Sequence, residues 1–359
     1  MPPSTLINSG SSGCIFKPKI PCAKEKTPRH VNTTKLIAKD TGDYNEYEMN
    51  SYIKAIPKSE EWTNVWEMKC KSHKYKDLRS TSDIDKCLKP KQKKIGKVKQ
   101  DTRFVLLQGT YGGHAVGSYM DRVFPESIFR NNMKFIKKFK LFFKMFEWIF
   151  FGLVQLNEHG ICHSDINPRN ITVKKDRFLL VDYGLAVFVD KPNKQVVKRM
   201  KKEFNGDRLY ECYPYEYLYF PNHTVEALIE EQEDIATSFY RLNHEDIYEP
   251  IHTQLFQRND GDEMRFEKLE DKIMTRNQKQ NQLKPLLQDL DLYSLAMMPL
   301  TMILDQGETL SVTTETIVRL LRSKQLKGYM DLLKDMSEPS HKDRISPQEA
   351  HERYVNLIK

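Results

Sequence analysis

With 359 residues the chain is long enough for two domains or for one large two-lobed domain. Hydrophobic residues make up 39% and charged residues 30%, ordinary globular usage that excludes a wholly disordered chain. Lys+Arg 57 against Asp+Glu 49 leaves a formal charge of +8, which favours acidic partners and is too mild to indicate nucleic acid.

The opening residues, MPPSTLINSG, hold no apolar stretch of signal-peptide length, so export by that route is not expected. Six cysteines (Cys14, Cys22, Cys70, Cys87, Cys162 and Cys212) lack CxxC spacing. Structural zinc is therefore not expected, and in an intracellular chain the thiols are expected to be reduced. Taken in order, residues 4–40 read as strand, turn, strand and strand: Leu6 and Ile7 lead into NSGSSG, Cys14–Phe16 resume an extended pattern, and Leu36–Ala38 end at Lys39. Met49, Ile53 and Ile56 follow Glu46 at offsets of three, seven and ten, one face of a helix that Pro57 closes. Residues 58–101 are polar and lysine-rich, including KPKQKKIGKVK, and read as an insertion or mobile loop around a weak strand near Val65–Met68. Phe104–Leu107 is an apolar strand running into the turn GTYGG. Apolar residues then recur at 139, 142, 146, 149, 153 and 156, the stripe of one long core-facing helix. The stretch from Phe135 to Leu156 carries Lys137, Lys138, Lys140, Lys144 and Glu147, too many charges for a membrane span. Two short apolar runs, Ile171–Val173 and Phe178–Val181, end in DYG. Residues 217–285 read as a second insertion, and a helical block begins near Asp289.

The motif that sets the chemistry is His163-Ser-Asp165-Ile-Asn167-Pro-Arg-Asn170, followed 17 residues after Asp165 by Asp182-Tyr-Gly184. Phosphoryl transfer needs a carboxylate to accept the proton of the attacking hydroxyl and oxygen ligands for Mg²⁺ on the phosphates. An Asp and an Asn five apart in a tight loop, with a second Asp after a neighbouring strand, supply that set. This pattern resembles the catalytic loop and Asp-Phe-Gly motif of eukaryotic-like protein kinases, with Tyr183 in place of Phe. Asn8-Ser-Gly10-Ser-Ser-Gly13-Cys-Ile15 resembles their glycine-rich loop, Tyr213-Pro-Tyr-Glu216 their Ala-Pro-Glu, and Asp291-Leu-Tyr-Ser-Leu-Ala296 the start of their large central helix. Arg344 falls where the family has an arginine that pairs with that glutamate, here Glu216.

The resemblance implies an α+β, bilobal fold, with a small β-rich lobe over 1–108 and a mostly helical lobe over 109–359. It implies ATP and Mg²⁺ as cofactors. Asp165 would be the catalytic base, and Asn170 and Asp182 the metal ligands. Lys39 would hold the phosphates and be oriented by Glu46, with Glu48 as the rival. Gly10 and Gly13 would cover the phosphates, Ile7, Ile15, Ile37 and Leu107 would border the nucleotide, and Gln108–Thr110 would form the hinge. GSSGCIFKPKIPC, LLQGTYGG and Tyr-Pro-x-Glu look like Ser/Thr kinases of large nucleocytoplasmic DNA viruses, which implies a host cytoplasm or virion setting and acidic or virion proteins as partners. Two departures matter. Ser164 replaces the arginine that binds an activation-loop phosphate, and residues 182–216 contain no Ser or Thr, so activity without such phosphorylation is expected. Asn167 replaces the lysine that marks Ser/Thr specificity, which leaves a Tyr acceptor open and predicts slow turnover. A small-molecule kinase, a pseudokinase and a virion scaffold are the competing readings.

Overall fold

A computed structural model describes residues 3–10, 13–37, 44–191, 212, 251, 254–257, 276–338 and 343–359. Helices and antiparallel sheets are both present, an α+β composition. The chain divides into two compact units: Met1–Gly112 with Val181–Gly184, and Gly113–Leu180 with Leu185–Lys359.

The first unit is built on a five-stranded antiparallel sheet ordered β1 (Thr5–Ser9), β2 (Gly13–Lys17), β3 (Thr33–Ile37), β5 (Val105–Gly109) and β4 (Met68–Lys71). β3 lies in the middle and all five of its residues are buried: Thr33, Thr34, Leu36 and Ile37 suit a covered central strand, and Lys35 is the one charge among them. Register places Ile15, Lys35, Leu107 and Lys69 side by side across β2, β3, β5 and β4. Helix α1 (Tyr44–Lys54) carries Glu46 in its first turn.

Residues 58–101 are not a mobile loop. They form α2 (Ser59–Trp62), β4, α3 (Tyr75–Leu78), α4 (Ile84–Leu88), a 3₁₀ turn and α5 (Gln92–Ile95), and the strand falls at Met68–Lys71 rather than Val65–Met68. This segment lies along the exposed edge of β1. Ser4 N–H donates to Thr81 O at 2.9 Å, Asp83 N–H to Ser4 O at 2.9 Å, and Leu6 N–H to the Asp83 carboxylate at 3.3 Å. Covering an edge strand this way satisfies groups that would otherwise invite pairing with another chain. Leu78, Ile84 and Leu88 join Phe16, Leu36 and Leu106 in one apolar core. Two disulfides cross it, Cys14–Cys87 and Cys22–Cys70, while Cys162 and Cys212 are free and buried. The expectation of reduced thiols is thus corrected. The partners lie 73 and 48 residues apart, so no local spacing advertises them.

In the second unit the apolar stripe after Phe135 belongs to two helices, α6 (Asn132–Lys144) and α7 (Glu147–Glu158), not to one. The break falls where the Met145 carbonyl leaves the helical pattern and accepts Phe178 N–H at 3.1 Å. Phe139, Phe142, Phe143 and Phe146 pack with Phe178, Tyr329 and Tyr354, ring centroids 4.8–6.4 Å apart. β6 (His114–Ala115), β8 (Ile171–Lys174) and β9 (Arg177–Leu180) form a small sheet, and β7 (Ile161–Cys162) pairs with β10 (Val187–Phe188). Gly113 has φ +114°, and a Cβ there would lie 2.1 Å from Val173 O, so only glycine fits this entry to β6. The helix expected near Asp289 already begins at Arg276 and runs to Thr309, taking in the end of the second predicted insertion. No helix among the described residues is long and apolar enough to cross a membrane.

Candidate functional site

Each unit holds one cluster of the predicted residues. In the first, Lys35 projects from β3 and is 5% exposed. Its ammonium lies 2.9 and 2.7 Å from the two Glu46 oxygens and 3.1 Å from Asp182 Oδ1. Burial opposes the charge, but Asp182 and Glu46 more than offset it and raise the lysine above its usual range. Glu46 is 1% exposed, whereas Glu48 lies on the exposed side of α1. The lysine assigned to this place from sequence was Lys39. Glu46 is met instead by Lys35, and Lys39 lies outside the described residues. Both lysines end or interrupt the same apolar run in the sequence, and their even spacing gives them the same parity in a period-two pattern, so alternation could not choose between them.

Two further side chains hold Glu46, and the sequence reading missed both. Trp66 Nε1–H donates to Glu46 Oε1 at 2.9 Å, and the Trp66 backbone N–H donates to Asn50 Oδ1 at 2.7 Å. Asn50 is buried one turn after Glu46 and donates its amide to the Glu46 carbonyl. Asp182 adopts φ 67°, and the Tyr183 hydroxyl donates to Thr63 Oγ1 at 2.7 Å, a bond that phenylalanine could not make.

The predicted nucleotide residues fall in several settings. Ile7 occupies a bulge in β1 and is 44% exposed. Gly10 N–H donates to Gly13 O at 2.9 Å, closing the turn between β1 and β2. Gly13 is required by packing, since a Cβ there would lie 2.3 Å from Leu36 O. Ile15, Ile37 and Leu107 lie on the same sheet face as Lys35. The expected hinge residues Gln108–Thr110 lie at the end of β5 and just after it. Gln108 is wholly buried in the sheet, its amide bonded to Ile20 O and Thr27 Oγ1, and its carbonyl accepts Glu67 N–H at 2.8 Å. The Thr110 carbonyl is likewise taken by Asn64 Nδ2 at 3.2 Å.

The second unit holds the residues of the His163–Asn170 motif. Asp165 Oδ1 accepts Asn167 Nδ2 at 2.7 Å, and Asp165 Oδ2 accepts Asn170 Nδ2 at 2.7 Å. Both amides also reach the Asp165 carbonyl, at 3.1 and 2.9 Å. Asn167 thus occupies a structural place, orienting the aspartate. Ser164 has φ 61°, and the loop is pinned by Asp291, whose carboxylate accepts His163 N–H at 2.6 Å and Ser164 N–H at 2.9 Å. Burial pushes Asp291 up to about 6, against the pull of those two donors. The neighbouring Cys162 thiol is held well above its usual range by burial and by Asp291, so it is no nucleophile. Arg344 donates to the Glu338 carbonyl at 2.6 Å and lies 4.9 Å from the Tyr293 ring centroid. Its expected partner Glu216, with Tyr213 and the basic residues 194–208, lies outside the described residues.

No protein-family model matches the chain. A stretch of 38 residues is 50% identical to Probable serine/threonine-protein kinase irlC of Dictyostelium discoideum, covering 11% of this chain and 3% of that protein. The same length matches irlD of that organism at 50% identity, covering 2% of it. The chain thus spans a small fraction of these relatives. Over that segment it is similar to serine/threonine-protein kinases.

Proposed function

We propose that the chain is an ATP-dependent protein kinase with a bilobal kinase fold, transferring the γ-phosphate to a protein hydroxyl, Ser or Thr, without activation-segment Ser/Thr phosphorylation. The observation that carries this reading is the buried Lys35 held between Glu46 and Asp182. The two carboxylates keep the buried lysine charged, and a kinase uses such a lysine to hold phosphate oxygens.

In this reading Lys35 and the glycine turn of β1–β2 bind the phosphates. Asp165 accepts the proton of the attacking hydroxyl. The hydroxyl oxygen bonds to the γ-phosphorus as the bond to the β–γ bridging oxygen breaks, leaving ADP. The amides of Asn167 and Asn170 orient the two Asp165 oxygens for that role. Asn170 gives its amide nitrogen to Asp165, so its amide oxygen would be the atom offered to a metal. The Asp182 side chain is 41% exposed and can offer a second oxygen. These donors suit Mg²⁺, which when bound neutralises charge on the phosphates. A viral setting and acidic or virion substrates are part of the proposal and rest on the sequence resemblance.

The test is transfer of labelled γ-phosphate from ATP with Mg²⁺ to the chain itself, to casein and to a basic protein, with phosphoamino-acid analysis. Label on Ser or Thr that disappears in Asp165→Asn is expected. ATP binding without transfer would favour a pseudokinase.

A further inference from the structure

We infer that Trp66, with Asn50, is a positioning residue: it locks Glu46, and through it Lys35, in the phosphate-binding pose, so that the pose is built into the first unit rather than imposed by phosphorylation. The inference rests on the kinase reading for its consequence, though its geometry stands apart.

The argument begins with Glu46. Helix α1 follows residues 38–43 and presents its glutamate in the first turn, where a helix end frays unless something ties it down. Two bonds do so from the segment just before β4. The indole N–H of Trp66 reaches Glu46 Oε1, the same oxygen that takes Lys35 Nζ at 2.9 Å. One turn later, Asn50 accepts the Trp66 backbone N–H and donates to the Glu46 carbonyl. Trp66 thus meets α1 twice, through its indole at Glu46 and its main chain at Asn50, and helix and segment cannot separate without breaking both bonds.

The segment itself has no freedom to follow the helix outward. Glu67, the next residue, donates its N–H to Gln108 O at 2.8 Å, which ties the segment to β5. Its carboxylate accepts His30 at 3.0 Å and Lys54, in the last turn of α1, at 3.4 Å. Earlier in the segment Thr63 holds the Tyr183 hydroxyl beside Asp182, the other carboxylate on Lys35. One stretch, Thr63–Glu67, therefore braces both acidic partners of the lysine. Ser164 in place of the phosphate-binding arginine and the absence of Ser and Thr from 182–216 fit the same device, since a helix fixed from within needs no phosphate to fix it.

The experiment uses the full chain in four forms: unaltered, Trp66→Phe, Glu46→Gln and the double variant. The first readout is the acylation rate of Lys35 by an N-hydroxysuccinimide ester, followed by peptide mass spectrometry with exposed lysines as reference. Trp66→Phe is expected to raise that rate about tenfold, the order carried by a hydrogen bond to a charged group, and to add nothing once Glu46→Gln is present. The second readout is phosphoryl transfer, where Trp66→Phe should lower the rate about tenfold. Replacing Trp66 by benzothienylalanine, which keeps the ring and removes the N–H, supplies the same test if Trp66→Phe does not fold. An unchanged Lys35 rate, or an equal rise in the Glu46→Gln background, would overturn the inference. If Lys35 responds as expected while the unaltered chain transfers no phosphate, the kinase reading falls and the positioning role stands.

Discussion

Lys35 shows how a single buried charge organises its surroundings. Its ammonium is neutralised by Glu46 and Asp182 together, so removing it leaves two carboxylates facing one another without a cation. Lys35→Met is expected to cost about 3 kcal/mol of stability in urea unfolding and to lower phosphoryl transfer by about two orders of magnitude or more. Lys39→Met should leave both unchanged; loss of transfer in Lys39→Met alone would reverse the assignment. A second residue-scale test concerns Asp291, pushed up to about 6 from 3.8. The folded chain holds that proton more tightly than the unfolded chain, so stability should fall as pH rises from about 4 to about 6 and level off above it. Unfolding at several pH values is expected to show this slope, of order 3 kcal/mol in total, and Asp291→Asn should flatten it. An unchanged slope in the variant would place the titrating group elsewhere.

At the scale of elements, the lysine-rich stretch 58–101 departs most from its sequence pattern. Its sparse apolar residues Leu78, Ile84 and Leu88 are enough to dock α3 and α4 on the β1–β2 edge. Cys87 in α4 then fastens the insertion to Cys14, the residue that follows Gly13 in β2. Lys91, just beyond α4, donates to Ser9 Oγ at 2.8 Å on the other side of the glycine turn. Cys87→Ser should lower the stability of the first unit by roughly 4 kcal/mol, the chain-entropy value for a loop of this length, read as a lower thermal midpoint without reductant. A midpoint equal to that of the unaltered chain would mean the bridge is not formed in solution. The strands and α1 were legible because period two and period 3.6 are local. The insertion was not, because its core contacts are made with strands far away in sequence.

Across the whole molecule, both disulfides belong to the first unit, while the two free cysteines among the described residues belong to the second. Reductant should therefore act on one unit only. Trp62 and Trp66 lie in the first unit and Trp148 in the second, so fluorescence of a Trp148→Phe variant reports the first unit alone. Dithiothreitol is expected to lower the midpoint of that signal and to leave the Trp148 signal of a Trp62→Phe, Trp66→Phe variant in place. Equal shifts in both would show that the units unfold as one.

The motifs on which the proposed chemistry rests are features of the sequence by itself: Asp165, Asn170 and Asp182 sit in short motifs whose spacing is set by one loop and one strand end. Glu46 was readable too, because a helical face is a local property. Tertiary structure alone decided that Lys35 meets Glu46, since the contact joins β3 to α1 and no periodicity within either segment encodes it. It alone decided the disulfides, the packed insertion and the Trp66–Glu46 bond, each of which joins residues at least 20 apart. Such contacts depend on which strands become neighbours, and no periodicity within a segment encodes that.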